Sequence, residues 1–597
     1  MKIRVDAFTG SMPRMASNLL PISAAQEAKN VKLWAGSLRS VNTPEQASIV
    51  ALTANSQSFY MLGDPASEVP LSWSTDVDVA ASPISDSEYR VYYTGDGLPK
   101  KTTLALATSA SAPYPGSNWY YLGVPAPTAT PSASTTTGSV PAGTWVYCYT
   151  VVTQFGTTLL EESATSPTVT ITLSGTGGVA LTGMTSPSTT GRNHVYKRIY
   201  RTTGTSFQLV AQIPFANTTY TDTLSATGIL GDALQTATWT PPPDDLQGIC
   251  ALPSGVLVGF RKNEIWFSEP GYPHAWPVAY MQALDTQIVG IKAFGNNVGV
   301  ATQAFPYFGS GVHPDGFTFQ KMPFLEPCLS KRSLAADEFG MLYASSNGIV
   351  SVGSDTSGLI SSNAITRDEF LAFAPSTFSS CVYERRYYGF YNDATYGVGA
   401  FVFSRNDPGQ VTVLTSPATG AAVDKSTARM LFIGSTDNKL YRFDPPTTVP
   451  YTYTWKSKLF EIPAAANFSC VRIVGKSTSA ADASAQAAVD AANAAITTAN
   501  ASAYASGVPN SEIDAIEINA MAINGSVLTP LIPSIEKTVG FSIWADGNLK
   551  LSGDFAQNVT YRLPAGFRAT NWEFSVTGQR EVLAVEIADS PQELAHG

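Results

Sequence analysis

The sequence contains few charged residues: Asp, Glu, Lys and Arg make up 14% of its 597 residues, against about 25% in ordinary globular proteins. Its hydrophobic share of 44% is ordinary, so the low charge does not indicate disorder. In place of charge the chain has 47 glycines, 39 prolines and 11% aromatic residues, with abundant Ser, Thr and Ala. This mixture is typical of short strands joined by turns and argues against an all-helical protein.

Cysteine and histidine are also scarce. The five cysteines are widely spread, and none belongs to a C-x-x-C pair: Cys148, Cys250, Cys328, Cys381 and Cys470. This pattern indicates neither a disulfide framework nor a zinc site, and we expect buried thiols in a protein made in a reducing cytoplasm. The four histidines have no metal-ligand spacing, so the sequence predicts no metal site and no cofactor.

The chain lacks a basic excess and lacks long apolar runs. Its formal net charge is −10 and its pI is near 5.0, so the chain as a whole repels phosphates and any contact with DNA must be non-adhesive. No stretch reaches the roughly 18 apolar residues of a membrane span, and the residues after Met1 lack a signal-peptide core. Sec secretion and membrane insertion are therefore disfavoured.

Alternating apolar runs recur from about 247 to 462, beginning near residues 248, 289, 333, 381 and 430. One interval contains four strand-sized pieces, at 288–294, 298–302, 306–308 and 317–322. Four-stranded units repeated at intervals of about 40 to 50 residues are typical of a β-propeller. The sequence predicts a mainly β protein whose propeller has about six blades. Unrelated β-meanders are the alternative, because the repeat has no shared motif.

The flanks of this region are predicted to complete the ring. Residues 46–62 form a hairpin-like pair, and 571–588 supply two further strands. An N-terminal strand that completed the last blade would hide sheet edges that could otherwise pair with other chains.

Two segments interrupt the blades. Residues 122–240 begin in a linker rich in Pro, Thr and Ser and continue as about seven short strands, which resembles a fibronectin III or immunoglobulin-like sandwich. Residues 479–506 are mostly Ala and are predicted to form a helix that stops before Gly507. Its thin apolar stripe of Val489, Ile496 and Tyr504 leaves two interpretations: a helix that packs on another chain, or a mobile insertion.

These features divide the chain into five parts: an N-terminal segment with the first propeller strands (1–121), the inserted sandwich (122–240), the main propeller blades (241–475), the Ala-rich helical insertion (476–510) and C-terminal strands that close the propeller (511–597).

Catalytic signatures are weak. Glycosidase chemistry needs only two suitably placed carboxylates, and five acids lie near strand ends or turns: Glu264, Glu269, Asp285, Asp315 and Asp437. The dipeptide Asp315-Gly316, however, is a turn signal, and no G-x-S-x-G or zinc-hydrolase motif is present. The sequence predicts a protein that is not an enzyme, with no catalytic residues.

Several motifs together resemble the tail nozzle, or tail tubular protein B, family of short-tailed bacteriophages. They are Asp244-Asp245-Leu246-Gln247-Gly248-Ile249, Leu252-Pro253-Ser254-Gly255, Glu264-Ile265-Trp266-Phe267-Ser268-Glu269-Pro270, Pro273-His274-Ala275-Trp276-Pro277, Cys328-Leu329-Ser330-Lys331-Arg332-Ser333 and Tyr561-Arg562-Leu563-Pro564-Ala565-Gly566-Phe567. The resemblance implies a propeller-based homo-hexamer in the virion tail, below the portal and adaptor rings, through which double-stranded DNA leaves without sequence-specific binding. It also implies synthesis in the bacterial cytoplasm and tail fibres or a needle as further partners. The host cell surface is a further expected partner by analogy with immunoglobulin-like modules on virions.

Within this interpretation, six residues are candidate anchors of subunit interfaces. The aromatic loops 271–276 and 304–308 contain His274, Trp276, Tyr307 and Phe308, and packing between blades of one chain is the alternative for them. Lys331 and Arg332 form a compact basic pair at a blade start, which either meets an acidic neighbouring subunit or is a solvated surface pair.

An alternative function belongs to a different class. Immunoglobulin-like modules and propellers also occur in proteins that recognise or cleave carbohydrates, so a receptor-binding or glycan-binding adhesin of the virion is the second hypothesis.

Overall fold

The computed structural model describes all residues except 34, 203–205, 226–230, 355–356, 396, 477–479, 508–530, 532–537 and 596–597. Strands dominate the described residues and helices are few, which confirms the predicted mainly β class. The chain forms a propeller, an inserted sandwich and a further β domain built from both ends of the chain. We call the last of these the terminal domain.

The propeller has seven blades, numbered here in chain order: five separate four-stranded sheets, one two-stranded hairpin, and four strands that form one end of a ten-stranded sheet shared with the terminal domain. Blade 1 is Ser58–Leu62 and Val69–Trp73. Blade 2 is Asp78–Ala81, Val91–Thr94, Lys100–Thr102 and Tyr120–Tyr121. Blade 3 is Gln247–Leu252, Val256–Arg261, Glu264–Phe267 and Gln282–Ala283. Blade 4 is Ile288–Phe294, Asn297–Thr302, Tyr307–Ser310 and Thr318–Lys321.

The remaining blades follow the same antiparallel order. Blade 5 is Ala335–Asp337, Gly340–Ser345, Gly348–Gly353 and Gly358–Leu359. Blade 6 is Ser379–Tyr383, Arg386–Asp393, Gly397–Ser404 and Asp407–Leu414. Blade 7 is Ala418–Asp424, Arg429–Gly434 and Leu440–Arg442, completed by Glu45–Gln46 from the N-terminal part of the chain.

Hydrophobic clusters between neighbouring blades close these sheets into a ring. Each small sheet buries its faces against the next one, as a propeller requires. In order from blades 1 and 2 to blades 7 and 1, the clusters contain Trp73 with Tyr93, Tyr92 with Leu257, Val258 with Val300, Phe294 with Met341, Leu342 with Phe401, Phe390 with Phe432, and Leu431 with Phe59. The first strands of successive blades lie against one another and so line the ring axis.

The terminal domain differs from the prediction that C-terminal strands close the propeller. Its strands from the first part of the chain are Lys2–Val5, Ala25–Lys29, Val31–Lys32 and Arg39–Ser40. Its later strands are Tyr453–Ser457, Phe460–Ala466, Cys470–Gly475, Thr538–Ala545, Asn548–Ala556, Thr560–Arg562, Ala569–Gly578 and Val582–Ala588.

Pairing and packing explain this difference. Ala569–Gly578 pairs with Tyr453–Ser457 and Thr538–Ala545, and Val582–Ala588 pairs with Lys2–Val5 and Cys470–Gly475. Their apolar side chains join one core that includes Trp455 and Phe574. Residues 453–475 therefore belong to this domain and not to the blades.

The inserted sandwich lies in the chain between blades 2 and 3, and the structure confirms its predicted architecture. One sheet contains Ser132–Val140, Gly177–Thr182 and Tyr220–Asp222, and the other contains Gly143–Phe155, Leu159–Glu162, Val169–Leu173, His194–Thr202 and Phe207–Pro214. A shared hydrophobic core lies between them. At the core edge, Tyr147 Oη donates to Asp222 Oδ2 at 2.8 Å, and Arg201 Nη1 donates to the same oxygen at 2.7 Å.

Four α-helices are described: Leu104–Ala107, Arg367–Leu371, Ala480–Gly507 and Pro591–Ala595. Short 3-10 turns are Val278–Tyr280, Pro314–Gly316, Lys331–Ser333 and Pro375–Thr377. The Ala-rich helix confirms the predicted one; the predicted first residue, 479, lies outside the described residues. Among the described helices, none has the length and apolar character needed to span a bilayer.

Candidate functional site

Trp276 lies inside the chain and not on its surface. Its side chain is fully buried, and its indole Nε1 donates to the carbonyl oxygen of Pro273 at 3.0 Å. The Trp276 backbone N–H donates to the carbonyl oxygen of Thr240 at 2.8 Å, and the Thr240 hydroxyl donates to the carbonyl oxygen of Trp276 at 2.6 Å. The loop therefore fixes the last residues of the insert to blade 3, as the intrachain alternative proposed.

His274 is buried beside this anchor. Its ring makes an edge contact with Trp239, with ring centres 5.4 Å apart, and Tyr272 also packs on Trp239. Burial lowers the pKa of His274 to about 4, so the imidazole is neutral near pH 7. A buried neutral ring of this kind supports the fold and does not present a charge to a neighbouring subunit.

Tyr307 and Phe308 lie in the third strand of blade 4. Tyr307 is buried in the cluster between blades 3 and 4, and half-buried Phe308 contacts Phe294, with ring centres 6.1 Å apart, in the cluster between blades 4 and 5. Both residues thus pack between blades of one chain.

Lys331 and Arg332 form the 3-10 turn that leads into blade 5, where they reach across the ring axis. Lys331 Nζ contacts the carboxylates of Asp78 and Asp76, which lie at the start of blade 2. Lys292, in the first strand of blade 4, also contacts Asp78, at 3.4 Å. Charges from blades 2, 4 and 5 therefore meet at the centre of the ring.

Arg332 forms hydrogen bonds where blades 1 and 7 meet and close the ring. Its guanidinium Nη2 donates to the carbonyl oxygen of Gln57, just before blade 1, at 2.9 Å, and to that of Thr419 in blade 7. This contact joins the first and last blades to blade 5. We call Asp76, Asp78, Lys292, Lys331 and Arg332 the axial cluster. The sequence suggested a surface pair at positions 331 and 332, whereas both residues are more than half buried and bonded within the chain.

Mutual charge stabilisation dominates the axial cluster. Burial alone would raise the pKa of Asp78, but Lys331 and Lys292 outweigh burial and hold that pKa below its usual value. Burial alone would lower the pKa of Lys331, yet Asp78 and Asp76 hold it above its usual value. Both groups are therefore charged across the neutral pH range, and their attraction crosses the ring.

A second buried ion pair lies where the insert meets blade 2. Lys101, in the third strand of that blade, contacts Glu161 of the insert, and Arg192 of the insert donates to the carbonyl of Gly123. A small pocket beside Lys101 is lined by residues of both units, Arg192 and Tyr121 among them. Sequence reasoning missed this junction, because Lys101 stands in a polar run, Lys100–Thr102, and its partner Glu161 lies 60 positions away in the chain.

In the axial cluster and at the junction, every carboxylate faces at least one lysine of the chain. No group of three or more His, Cys, Asp or Glu side chains suited to a metal ion occurs in the part of the chain that the structure describes. Cys148, Cys328, Cys381 and Cys470 are buried, as expected, and Cys250 is half-buried. Burial raises the pKa of the Cys250, Cys328 and Cys381 thiols to about 12, so they are protonated at neutral pH.

Comparison with known proteins finds similarity of architecture only. No family model matches the chain, and no curated protein matches it. Virginiamycin B lyase from Staphylococcus aureus is 11% identical with a TM-score of 0.26, covering 62% of this chain and 99% of the lyase. PorZ of Porphyromonas gingivalis is 12% identical with a TM-score of 0.25, covering 77% and 69%. The Pan2 WD40 domain of Neurospora crassa is 7% identical with a TM-score of 0.25, covering 42% and 86%. The propeller fold itself rests on the ring of sheets and their shared clusters.

Proposed function

We propose that this chain is a structural subunit of a short bacteriophage tail, a wall element of a hexameric nozzle below the portal and adaptor rings. The observation that carries the proposal is the axial cluster, in which Lys331 and Arg332 join blades on opposite sides of the ring. Ion pairs that cross the centre of the propeller leave no open channel along its axis for DNA. In the proposed nozzle, the conduit for DNA is therefore the space between six propellers and not the axis of any one of them.

The buried polar groups support a structural role over a catalytic one. Asp78 and Glu161 each face a lysine of the same chain, and the His274 ring packs against the rings of Trp239 and Tyr272. These side chains are occupied by contacts that connect the blades and the insert to one another. We propose that the protein acts through its shape and its surfaces, without turnover.

The overall charge also supports the proposal. Each chain carries a formal charge of −10, so six copies carry −60. A wall of this sign repels the phosphate backbone and allows DNA to slide without stable contacts. A ring of six identical subunits also needs a heterologous interface, in which one surface of each subunit binds a different surface of the next subunit.

The proposal is tested by the oligomeric state of the full-length chain. Light scattering after size exclusion, followed by electron microscopy, is expected to reveal a sixfold ring with an open lumen between propellers. A monomer or trimer whose melting temperature rises on addition of host-surface glycans would contradict the proposal and favour the adhesin. A sixfold ring in which the lumen is blocked would contradict the conduit.

A further inference from the structure

A lysine and a carboxylate are buried against each other where the insert joins the propeller. Lys101 belongs to Lys100–Thr102 of blade 2, Glu161 belongs to Leu159–Glu162 of the insert, and Lys101 Nζ contacts Glu161 Oε2. Only 3% of the Lys101 side chain and 0% of the Glu161 side chain are exposed. The two reactive groups are therefore held together in a site that solvent barely reaches.

The ion pair uses little of its hydrogen-bonding capacity. Lys101 Nζ carries three hydrogens as an ammonium, but Glu161 is the one acceptor it reaches within the described residues. The Phe155 ring centre lies 4.7 Å from Nζ, and the side chains of Arg192 and His274 are also close enough to act on the pair electrostatically. Glu161 Oε2 also accepts from Thr153 Oγ1 at 3.2 Å, whereas Oε1 is buried without a partner. Buried charges satisfied this poorly are costly to keep.

We propose that Lys101 and Glu161 form an intramolecular amide bond that joins the propeller covalently to the insert. A proton first passes from Nζ to the carboxylate, which gives a neutral amine and a carboxylic acid. The amine nitrogen then attacks Cδ of Glu161 and the N–C bond forms. The bond from Cδ to Oε1 breaks, and Oε1 leaves as water with the carboxyl proton and one amine proton. The step needs no oxidant, reductant or other reactant.

The surroundings favour this condensation. Fixed neighbours of this kind react with effective concentrations of about 10⁵ to 10⁸ M, because the entropy of bringing them together has already been lost in folding. Burial lowers the pKa of Lys101 even though Glu161 favours its charged form, and this increases the fraction of nucleophilic amine. Burial alone would raise the pKa of Glu161, but Lys101 and His274 hold it below its usual value, so the proton transfer starts from a charged pair. The aromatic ring of Phe155 covers the nitrogen and limits the water available for hydrolysis.

The product fits the site better than the ion pair does. The amide has one N–H in place of three, and it keeps a single oxygen, which Thr153 can still bond. The unpartnered Oε1 is removed. A pocket lined by Lys101 is partly open to solvent, which gives the released water a way out.

Mass spectrometry of the full-length chain, folded first and then denatured, tests the proposal. The wild-type protein is expected to be lighter than its sequence mass by one water, and a trypsin digest to yield a branched peptide that joins position 101 to position 161 without cleavage after Lys101. Lys101→Met and Glu161→Ala are expected to restore the full sequence mass of each variant. In Glu161→Gln the leaving group becomes ammonia, so any mass loss is expected to match ammonia instead of water.

Lys100→Met is the matched control. Lys100 lies on the same strand and pairs with the partly exposed Asp96 at 2.6 Å, so this variant is expected to retain the mass loss. Folded wild-type protein with its full sequence mass and normal cleavage after Lys101 would overturn the proposal and identify a plain ion pair. The wild-type measurement decides the matter even if a variant fails to fold.

Discussion

Lys331 at the entrance to blade 5 and Asp78 at the start of blade 2 form an ion pair across the propeller axis, although blades 3 and 4 lie between them along the ring. The two residues are 253 positions apart in the chain. Lys292 contacts the same carboxylate from blade 4, so one buried acid holds three blades together.

Replacing Asp78 with Asn is expected to destabilise the protein by about 3 to 5 kcal/mol, because the largely buried Lys331 then keeps only the partly exposed Asp76 as a counter-charge and Lys292 loses its carboxylate partner. Chemical denaturation measures the change in the free energy of unfolding. The control is Asp285→Asn, which breaks the exposed pair with Lys321 and is expected to cost less than about 1 kcal/mol. Equal effects of the two substitutions would contradict a stabilising role for the axial cluster.

The free energy of unfolding is expected to fall as the pH decreases from about 6.5 to about 4. His274 has a pKa of about 4 in the folded chain against an ordinary value of 6.5, so the unfolded chain binds more protons in this window. The neutral His274 contributes on the order of 3 kcal/mol to the free energy of unfolding at pH values above 6.5. This contribution is lost as the pH falls to about 4. Burial also lowers the pKa of His194 to about 4, which acts in the same direction.

Unfolding curves at several pH values check this expectation, with the His274→Asn variant for comparison. The variant is expected to show a smaller slope of stability against pH, with His194 supplying the remainder. An unchanged slope would mean that His274 is not neutral in the folded protein.

Trp276→Ala is expected to destabilise the protein by about 3 to 5 kcal/mol, because it empties a fully buried site between blades 2 and 3 and the insert. Val278→Ala, two residues further along and 57% exposed, is expected to change stability by less than about 0.5 kcal/mol. Thermal melts of both variants make the comparison. A wild-type melting temperature for the Trp276 variant would show that this anchor is dispensable.

Gly348→Ala tests a tight turn in blade 5. Gly348 has a φ of +142°, and an added Cβ would lie 2.2 Å from Ser361 Oγ. Gly358, with a φ of +134°, has open space at the same position, so Gly358→Ala measures the backbone strain alone. Both substitutions are expected to destabilise, each by more than about 1 kcal/mol, and Gly348→Ala is expected to cost more. Equal costs would show that Ser361 moves aside freely.

The blades could be predicted from the sequence because each is a local unit. Alternation, turn residues and the spacing of successive runs indicated strands such as Ile288–Phe294 without knowledge of distant residues. The same signals marked the strands Ala569–Gly578 and Val582–Ala588, but alternation does not say which sheet a strand joins. Packing against Lys2–Val5 and Tyr453–Ser457 placed them in the terminal domain.

For the candidate site, too, the sequence predicted local features but not contacts between distant residues. Prolines and aromatic residues around Trp276 indicated a rigid loop, and the alternative of packing within the chain was already open. The sequence could not reveal that Lys331 is buried, because a buried lysine needs a partner and its partner Asp78 lies far away in the chain. Burial of paired charges depends on tertiary structure, which local patterns do not contain.

The two ends of the chain share one β domain, and this affects how the protein is made. Lys2–Val5 is synthesised long before its partner Val582–Ala588. Pairing across such a separation in the chain is slow, so the earlier strand stays unpaired while the blades and the insert fold. The terminal domain is therefore expected to complete its sheets after the propeller and the sandwich have formed.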